Sequence, residues 1–301
     1  MKHLKWLCLL CAVAMMLLPQ LGWAEGQGGP AFKPTGEVSI GYWLADGQFD
    51  LVGGTWRAEA DTDARPWLLR GEYRFAPRWS AEASVTTGDI RSGPWAAWAL
   101  ENPADRESGR CDGDLRMWAL NVYYNAWRSP QTKYGRASTV DVGVGYQRFR
   151  ETVALEHLLP PEVAGIVSTY RTTFKGLQLG VRGRAPLAKQ VDLKAGLLWK
   201  PNEDVDLENY YPGGEDPGHS ASGDGEGWCA NLAVVYAPTP EWEVELGYRS
   251  LRHTGDVPGA YFSDLEATQK GFWVERKGFR VERNGFWVER RIRSCPLISE
   301  P

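Results

Sequence analysis

Several groups of side chains in this chain have the types and spacing to do chemistry. Asp61-Thr62-Asp63 sets two carboxylates two residues apart, a spacing that suits a shared metal ion or an acid–base pair. Asp204, Asp206 and Glu208 alternate along a second acidic stretch, with Glu215 and Asp216 beyond it. They offer the oxygen ligands calcium takes, but the glycine and the twelve-residue spacing of an EF-hand loop are missing. His219 is the nearest imidazole, so Asp61, Asp63, Asp206 and His219 make one candidate set for activating water as a general base. Trp95 and Trp98, close to Arg91 and Arg106, suit peptide or carbohydrate contacts, or packing at a membrane interface. The mature histidines, His157, His219 and His253, are far apart and fall in polar stretches. The chain has no nucleophile elbow, phosphate-binding glycine loop or dinucleotide fingerprint, and neither a metal nor a cofactor is expected. For each acidic group the plainer reading is a solvated loop.

These residues hang on a frame of alternating segments. Tyr170–Pro201 shows it best: Leu177, Leu179 and Val181 alternate with Gln178, Gly180 and Arg182, and after a short link Val191, Leu193, Leu197 and Trp199 alternate with Asp192, Lys194 and Lys200. Successive strand side chains face opposite ways, so each arm has an apolar and a polar face and is long enough to cross a bilayer when tilted. The same pattern recurs at Glu37–Ala45, Trp67–Phe75, Trp79–Val85, Trp118–Asn125, Val140–Gln147, Trp228–Tyr236, Trp242–Arg249 and Ala267–Arg276. That makes about ten strands. Their connections alternate between short turns and long polar stretches at 46–65, 89–114, 150–169, 202–227 and 253–266. Short turns at one end and long loops at the other mark an all-β, antiparallel, up-and-down transmembrane β-barrel of the bacterial outer membrane, with both termini periplasmic. A soluble sandwich or lipocalin-like barrel would show the same alternation with its charges outside. The load of 15 Trp, 12 Tyr and 34 Gly favours the membrane.

Composition agrees. A formal charge of −4 gives no field for nucleic acid. Mean hydropathy is −0.40, which does not exclude a barrel, because only alternate strand residues meet lipid. Residues 1–24 read as a signal peptide: Lys2 and Lys5, the apolar run Trp6–Leu18, and Gly22-Trp23-Ala24 at the cleavage site. Residues 25–36 read as a flexible lead-in, 37–276 as the barrel and 277–301 as a tail. Cys111, Cys229 and Cys295 are an odd set at wide spacing, and their pairing stays open. In the tail region Gly271–Lys277 recurs as Gly278–Asn284 and Gly285–Arg291. A period of seven reverses the strand face at each copy, so the first copy is expected to close the barrel and the rest to lie outside it.

The strand count, the export signal, Tyr170–Pro201, Asn209-Tyr210-Tyr211-Pro212-Gly213 and Trp98-Ala99-Leu100-Glu101-Asn102-Pro103 together resemble the omptins, outer-membrane aspartyl-type proteases of Gram-negative bacteria. The resemblance covers most of the chain up to Phe272. It implies an Asp-x-Asp pair and an Asp-x-His pair at the barrel mouth, activating water against a peptide carbonyl. Those positions fall on Trp95 and Ala97, and on Leu207 and Asn209, none of which takes a proton from water. The expectation is therefore an omptin-like barrel without catalysis, seated in outer-membrane lipid and offering its long loops to an extracellular ligand or surface polymer. Alternatives are a hydrolase built on Asp61, Asp63, Asp206 and His219, and a narrow solute channel.

Overall fold

A computed structural model describes residues 32, 34–53, 56–101, 106–157, 167–210, 218–239, 242–258 and 262–282. The export signal, Pro160-Pro161, Glu215, Asp216, Cys295 and the third repeat copy lie outside the described residues. Eleven strands follow one another: β1 (Thr35–Gly53), β2 (Trp56–Ala64), β3 (Trp67–Ala76), β4 (Trp79–Ala99), β5 (Arg106–Arg128), β6 (Thr139–His157), β7 (Val167–Ala188), β8 (Val191–Tyr210), β9 (His219–Thr239), β10 (Trp242–Asp256) and β11 (Phe262–Glu282). Each pairs antiparallel with its neighbours and β11 pairs with β1, which closes the ring. β2 pairs with Ala45–Val52 of β1, and β3 with Thr35–Tyr42. They are two lengths of one stave, interrupted at Arg65-Pro66, where proline has no N–H to give the ladder. Trp43 N–H donates to Pro66 O at 3.0 Å and Arg65 N–H to Asp89 O at 3.2 Å, so the break is hydrogen-bonded. The eleven strands thus form ten staves of an up-and-down barrel.

The strands are longer than the sequence suggests. Most of 46–65, 89–114, 202–227 and 253–266, expected as loops, is strand, and so are the ends of 150–169. β5 has 23 residues, about 75 Å at the ~3.3 Å rise of a strand, whereas roughly 9–11 tilted residues cross a bilayer. The staves therefore stand well clear of any bilayer at one end, here the distal end. The other, the terminal end, holds both ends of the barrel chain and the short turns.

Polarity reverses between the two levels. Toward the terminal end Ile40, Leu69, Leu120, Leu179, Leu246 and Phe272 point outward, each at least half exposed. An uncovered apolar band of this extent fits a lipid hydrocarbon core. Its lumen is polar and closed by ion pairs. Arg182 reaches Glu72 at 2.7 Å, Asp141 at 3.0 Å and Glu82 at 3.1 Å, Arg70 bonds Glu275 at 2.6 Å, and Lys194 bonds Glu245 at 2.8 Å. Asp192 is likewise held by Arg184. The expectation is Leu177, Leu179, Val191 and Leu193 outward and Arg182, Arg184, Asp192 and Lys194 inward; Leu177 and Leu179 are exposed as expected, whereas Val191 and Leu193 are half-buried.

Distally the alternation continues with the faces exchanged. On β1, Asp46, Gln48 and Asp50 point out while Phe49 and Leu51 are buried at 2 % and 0 % exposure. One apolar core fills the distal interior, built from Trp43, Phe49, Leu51, Trp95, Leu115, Phe149, Phe174 and their neighbours. The soluble-barrel pattern is thus present, in one half of the molecule only.

β11 continues past Arg276, where the sequence closes the barrel. Ser39 stands opposite Lys277 and Val38 opposite Phe279, so Gly278 is an extra residue. This bulge absorbs the odd period of the repeat. Phe272 and Phe279 both stand opposite outward positions of β1, Leu44 and Val38.

Candidate functional site

The distal mouth is where catalytic residues of an omptin would stand. β4 and β8 bring Trp95, Ala97, Leu207 and Asn209 to the inner wall there, with Trp95 and Leu207 each 3 % exposed and Asn209 8 %. Trp95 packs into the core with Phe49, Cys111, Leu155, Tyr170 and Leu207. No side chain of the four has a group that deprotonates water, and Trp95, Ala97 and Leu207 all pack in or against the apolar core.

A charged group that the sequence did not single out sits beneath this cap. His253 on β10 is fully buried, with its ring stacked on Phe149 (4.6 Å, 18°) and on Phe174 (4.6 Å, 29°). Its Nδ1 lies 2.6 Å from Glu203 Oε2 and its Nε2 3.2 Å from Lys200 Nζ. The geometry suits a neutral ring that donates from Nδ1 to the carboxylate and accepts from the ammonium at Nε2. Burial first, and then Lys200, pull the imidazole down to about 4 against the opposing pull of Glu203. Gly227 makes room, since a Cβ there would come within 2.6 Å of Glu203 Oε2 and 2.9 Å of His253 Nδ1. An imidazole–carboxylate pair is base chemistry in kind, but all three side chains are 0 % exposed and meet no substrate in this state.

A second buried carboxyl spans the lumen. Gln269 Nε2 of β11 donates to Glu151 Oε1 of β6 and to Thr62 Oγ1 of β2, each at 2.9 Å. This strut passes over Gly47, where a Cβ would stand 2.2 Å from the Gln269 nitrogen. Burial pushes the Glu151 carboxyl up to about 8, with the Gln269 bond pulling slightly the other way. Local sequence gave no sign of either cluster, because its members are assembled from strands far apart in the chain.

The residues singled out from sequence lie elsewhere. Asp61 and Asp63 occupy outward positions of β2, with Asp63 paired to Arg65 at 3.1 Å. Asp204, Asp206 and Glu208 occupy outward positions of β8. Lys175 bonds Asp206 at 2.6 Å, Ser222 donates to it at 3.0 Å, and Arg171 reaches Glu208 at 3.3 Å. β2 and β8 stand on opposite sides of the ring, so the carboxylates of Asp61 and Asp63 do not meet Asp206. His219 is exposed at the start of β9, opposite Asn209. Trp95 points in, whereas Trp98 points out with Arg57 5.9 Å from its ring centre, so the two tryptophans form no shared surface. Strand parity separates residues three apart. Cys111 and Cys229 are buried free thiols on β5 and β9.

No family model and no curated protein sequence matches the chain. Among solved structures, the outer membrane protease OmpT of Escherichia coli superposes with a TM-score of 0.61 at 12 % identity, over 84 % of this chain and 99 % of that one. The attachment invasion locus protein Ail of Yersinia pestis gives 0.33 at 13 % identity, over 83 % of this chain and all (100 %) of that one. The toluene transporter TodX of Pseudomonas putida gives 0.33 at 10 % identity, over 82 % of this chain and 90 % of that one. At these identities the likeness is one of fold, and the fold is that of an outer-membrane β-barrel.

Proposed function

We propose that this chain is a non-catalytic outer-membrane barrel of omptin-like shape, with its termini periplasmic and its tall distal wall displayed outside the cell as a binding surface. The observation that carries the reading is the filled mouth. Trp95 and Leu207 belong to the apolar core, Ala97 packs against it and Asn209 is buried beside them, and none of the four takes a proton from water. Ion pairs of Arg182, Arg70 and Lys194 cross the lumen below, which opposes the channel reading. Among the described residues, what remains accessible at the distal level is the outer wall.

That wall is divided. Just above the apolar band Arg116 stands opposite Arg150, and Arg148 opposite Lys175, on β5, β6 and β7. Cations at this height suit the anionic headgroups of the surrounding lipid. Higher up, Asp204, Asp224, Asp256 and Asp264 form one cross-strand row on β8 to β11. An extracellular ligand of that face would be cationic, and its binding would weaken with salt.

The test is a peptidase assay on the folded barrel in lipid, using peptides with basic residues. No cleavage is expected, together with salt-sensitive retention of polylysine that falls for Asp224→Asn/Asp256→Asn. Cleavage lost in Asp206→Ala or His219→Ala would replace this reading with the hydrolase.

A further inference from the structure

The terminal end of the barrel holds a cavity of about 240 Å³ lined by Arg128, Gly135, Arg136, Ala137, Arg184, Pro186 and Asp192. We infer that this cavity binds a tetrahedral oxyanion, phosphate or the phosphate end of a small phosphomonoester. It lies away from the mouth and from the outer wall, so it adds to the function proposed above without depending on it.

Three guanidinium groups face one carboxylate in the lining, and that carboxylate is already used. Arg136 approaches Asp192 at 2.8 Å and Arg184 at 2.5 Å. Arg136 also donates to the carbonyls of Ala188 and Val191, which ties the β5–β6 turn to the β7–β8 turn. The turn that carries Arg136 is itself rigid. Ser129 N–H donates to Ser138 O at 2.9 Å, Thr132 N–H to Arg136 O at 2.8 Å and Gly135 N–H to Thr132 O at 2.9 Å. Gly135 takes a φ of 75°, which a side chain would resist.

The charge left over is what matters. Arg136 Nε is buried without a hydrogen-bond partner. Arg128 has no ion pair or side-chain hydrogen bond among the described residues and lines the cavity while itself exposed. Three guanidinium charges against Asp192 and against Glu243, which pairs with Arg184 at 3.1 Å, leave a surplus of about one positive charge in a concave site, where fields are focused. An anion meets that surplus, and a tetrahedral oxyanion offers paired oxygens to guanidinium forks. The volume is below the ~300–1,000 Å³ of pockets that enclose drug-sized ligands, so it suits one phosphate group rather than a large molecule.

The test is calorimetric titration of the full chain, folded in micelles, with inorganic phosphate, glycerol phosphate and acetate at constant ionic strength. Phosphate is expected to bind once per barrel and acetate more weakly. Arg128→Ala should raise the dissociation constant about tenfold or more, as loss of a charge-assisted fork does. Because Arg128 has no partner to lose, that variant should keep the circular dichroism of the parent. Arg136→Lys, which keeps the charge and loses the fork, should also weaken phosphate. Displacement of phosphate by glycerol phosphate would identify a phosphomonoester site, and failure to displace it a site for the free ion. Either outcome supports the inference. It is overturned if the parent binds no phosphate, if Arg128→Ala binds equally well, or if acetate binds as tightly as phosphate.

Discussion

The two levels of this barrel are built from the same strands with opposite rules. In the band, Leu179 and Leu246 face outward and Arg182 and Glu245 face a closed polar lumen. Distally, Phe49, Leu115 and Phe174 fill the inside while Asp46, Asp204 and Asp224 face water. Strand parity never changes along β1; only the chemistry at each parity does. The surroundings explain it. Lipid leaves the band no reason to bury hydrocarbon inside, and charges kept from lipid must pair in the lumen. Water around the distal staves restores the ordinary hydrophobic drive inward. Each level should therefore break by a different mechanism.

The largest effect is expected in the band. Arg182 serves Glu72, Glu82 and Asp141, and its guanidinium lies 3.9 Å from the Tyr123 ring centre. Arg182→Leu leaves those carboxylates in a closed lumen without their partner. Removing one partner from a buried ionic group costs roughly 3–5 kcal/mol, and the shared role places this variant at the upper end. Urea midpoints in micelles should fall accordingly. If the loss is small, water reaches the carboxylates and the lumen is not closed.

In the distal core the corresponding break is Phe174→Ala. The ring is fully buried and stacked on His253, with Phe149 at 6.2 Å. A cavity of that kind costs about 3–5 kcal/mol, less if neighbours collapse into it. Hydrogen exchange separates the two variants. Phe174→Ala should loosen distal amides of β6 and β7 and spare the band, whereas Arg182→Leu should loosen the band.

The first of these levels was legible in sequence and the second was not. Alternation with Leu, Val and Trp on one parity and polar, small or charged residues on the other marked the band segments, most clearly Leu177 to Trp199. The distal segments alternate too, but in Arg57-Ala58-Glu59-Ala60-Asp61-Thr62-Asp63-Ala64 the inward residues are small and the outward ones mostly charged. The stretch therefore passes for a polar loop. Reading it as strand would have put Asp61 and Asp63 on the outer wall and Trp95 and Trp98 on opposite faces. The His253, Glu203 and Lys200 cluster and the Arg128, Arg136 and Arg184 cavity had no such signal. Their members meet only when the ring closes.

Acidity sharpens the contrast at the boundary between levels. Glu151 titrates near 8 in the folded barrel and near 4.3 when unfolded. Between those values the folded state keeps a proton the unfolded state has released, so this group's contribution to stability falls as pH rises and levels off above about 8. His253, lowered to about 4 from 6.5, works the other way. The unfolded state takes up the proton first, so stability falls as pH drops from about 6.5 toward 4 and is unaffected above. Glu151→Gln keeps a neutral partner for Gln269 and should flatten the alkaline decline, with a gain over the parent that is greatest above pH 8. Urea midpoints measured across pH in micelles would show it. A parallel curve for the variant would mean that water or another group already compensates the Glu151 charge.

The smallest effect lies on the outer distal wall, and its sign is informative. Asp256 stands directly opposite Asp224 on one side and Asp264 on the other. Like charges placed opposite one another across strands are mildly unfavourable, and in water the penalty is screened. Asp256→Asn should therefore stabilise the barrel by a few tenths of a kcal/mol at low salt and by nothing measurable at high salt. The same change at Asp192 should do the reverse. That carboxylate is 1 % exposed and held by Arg136 and Arg184, so neutralising it removes two ionic bonds from a buried group. Opposite signs for one substitution type at two levels would establish that the barrel carries repulsion on its outer distal wall and pairing inside its terminal end. Destabilisation by Asp256→Asn would instead mean that the aspartate row makes an attractive contact on the folded wall.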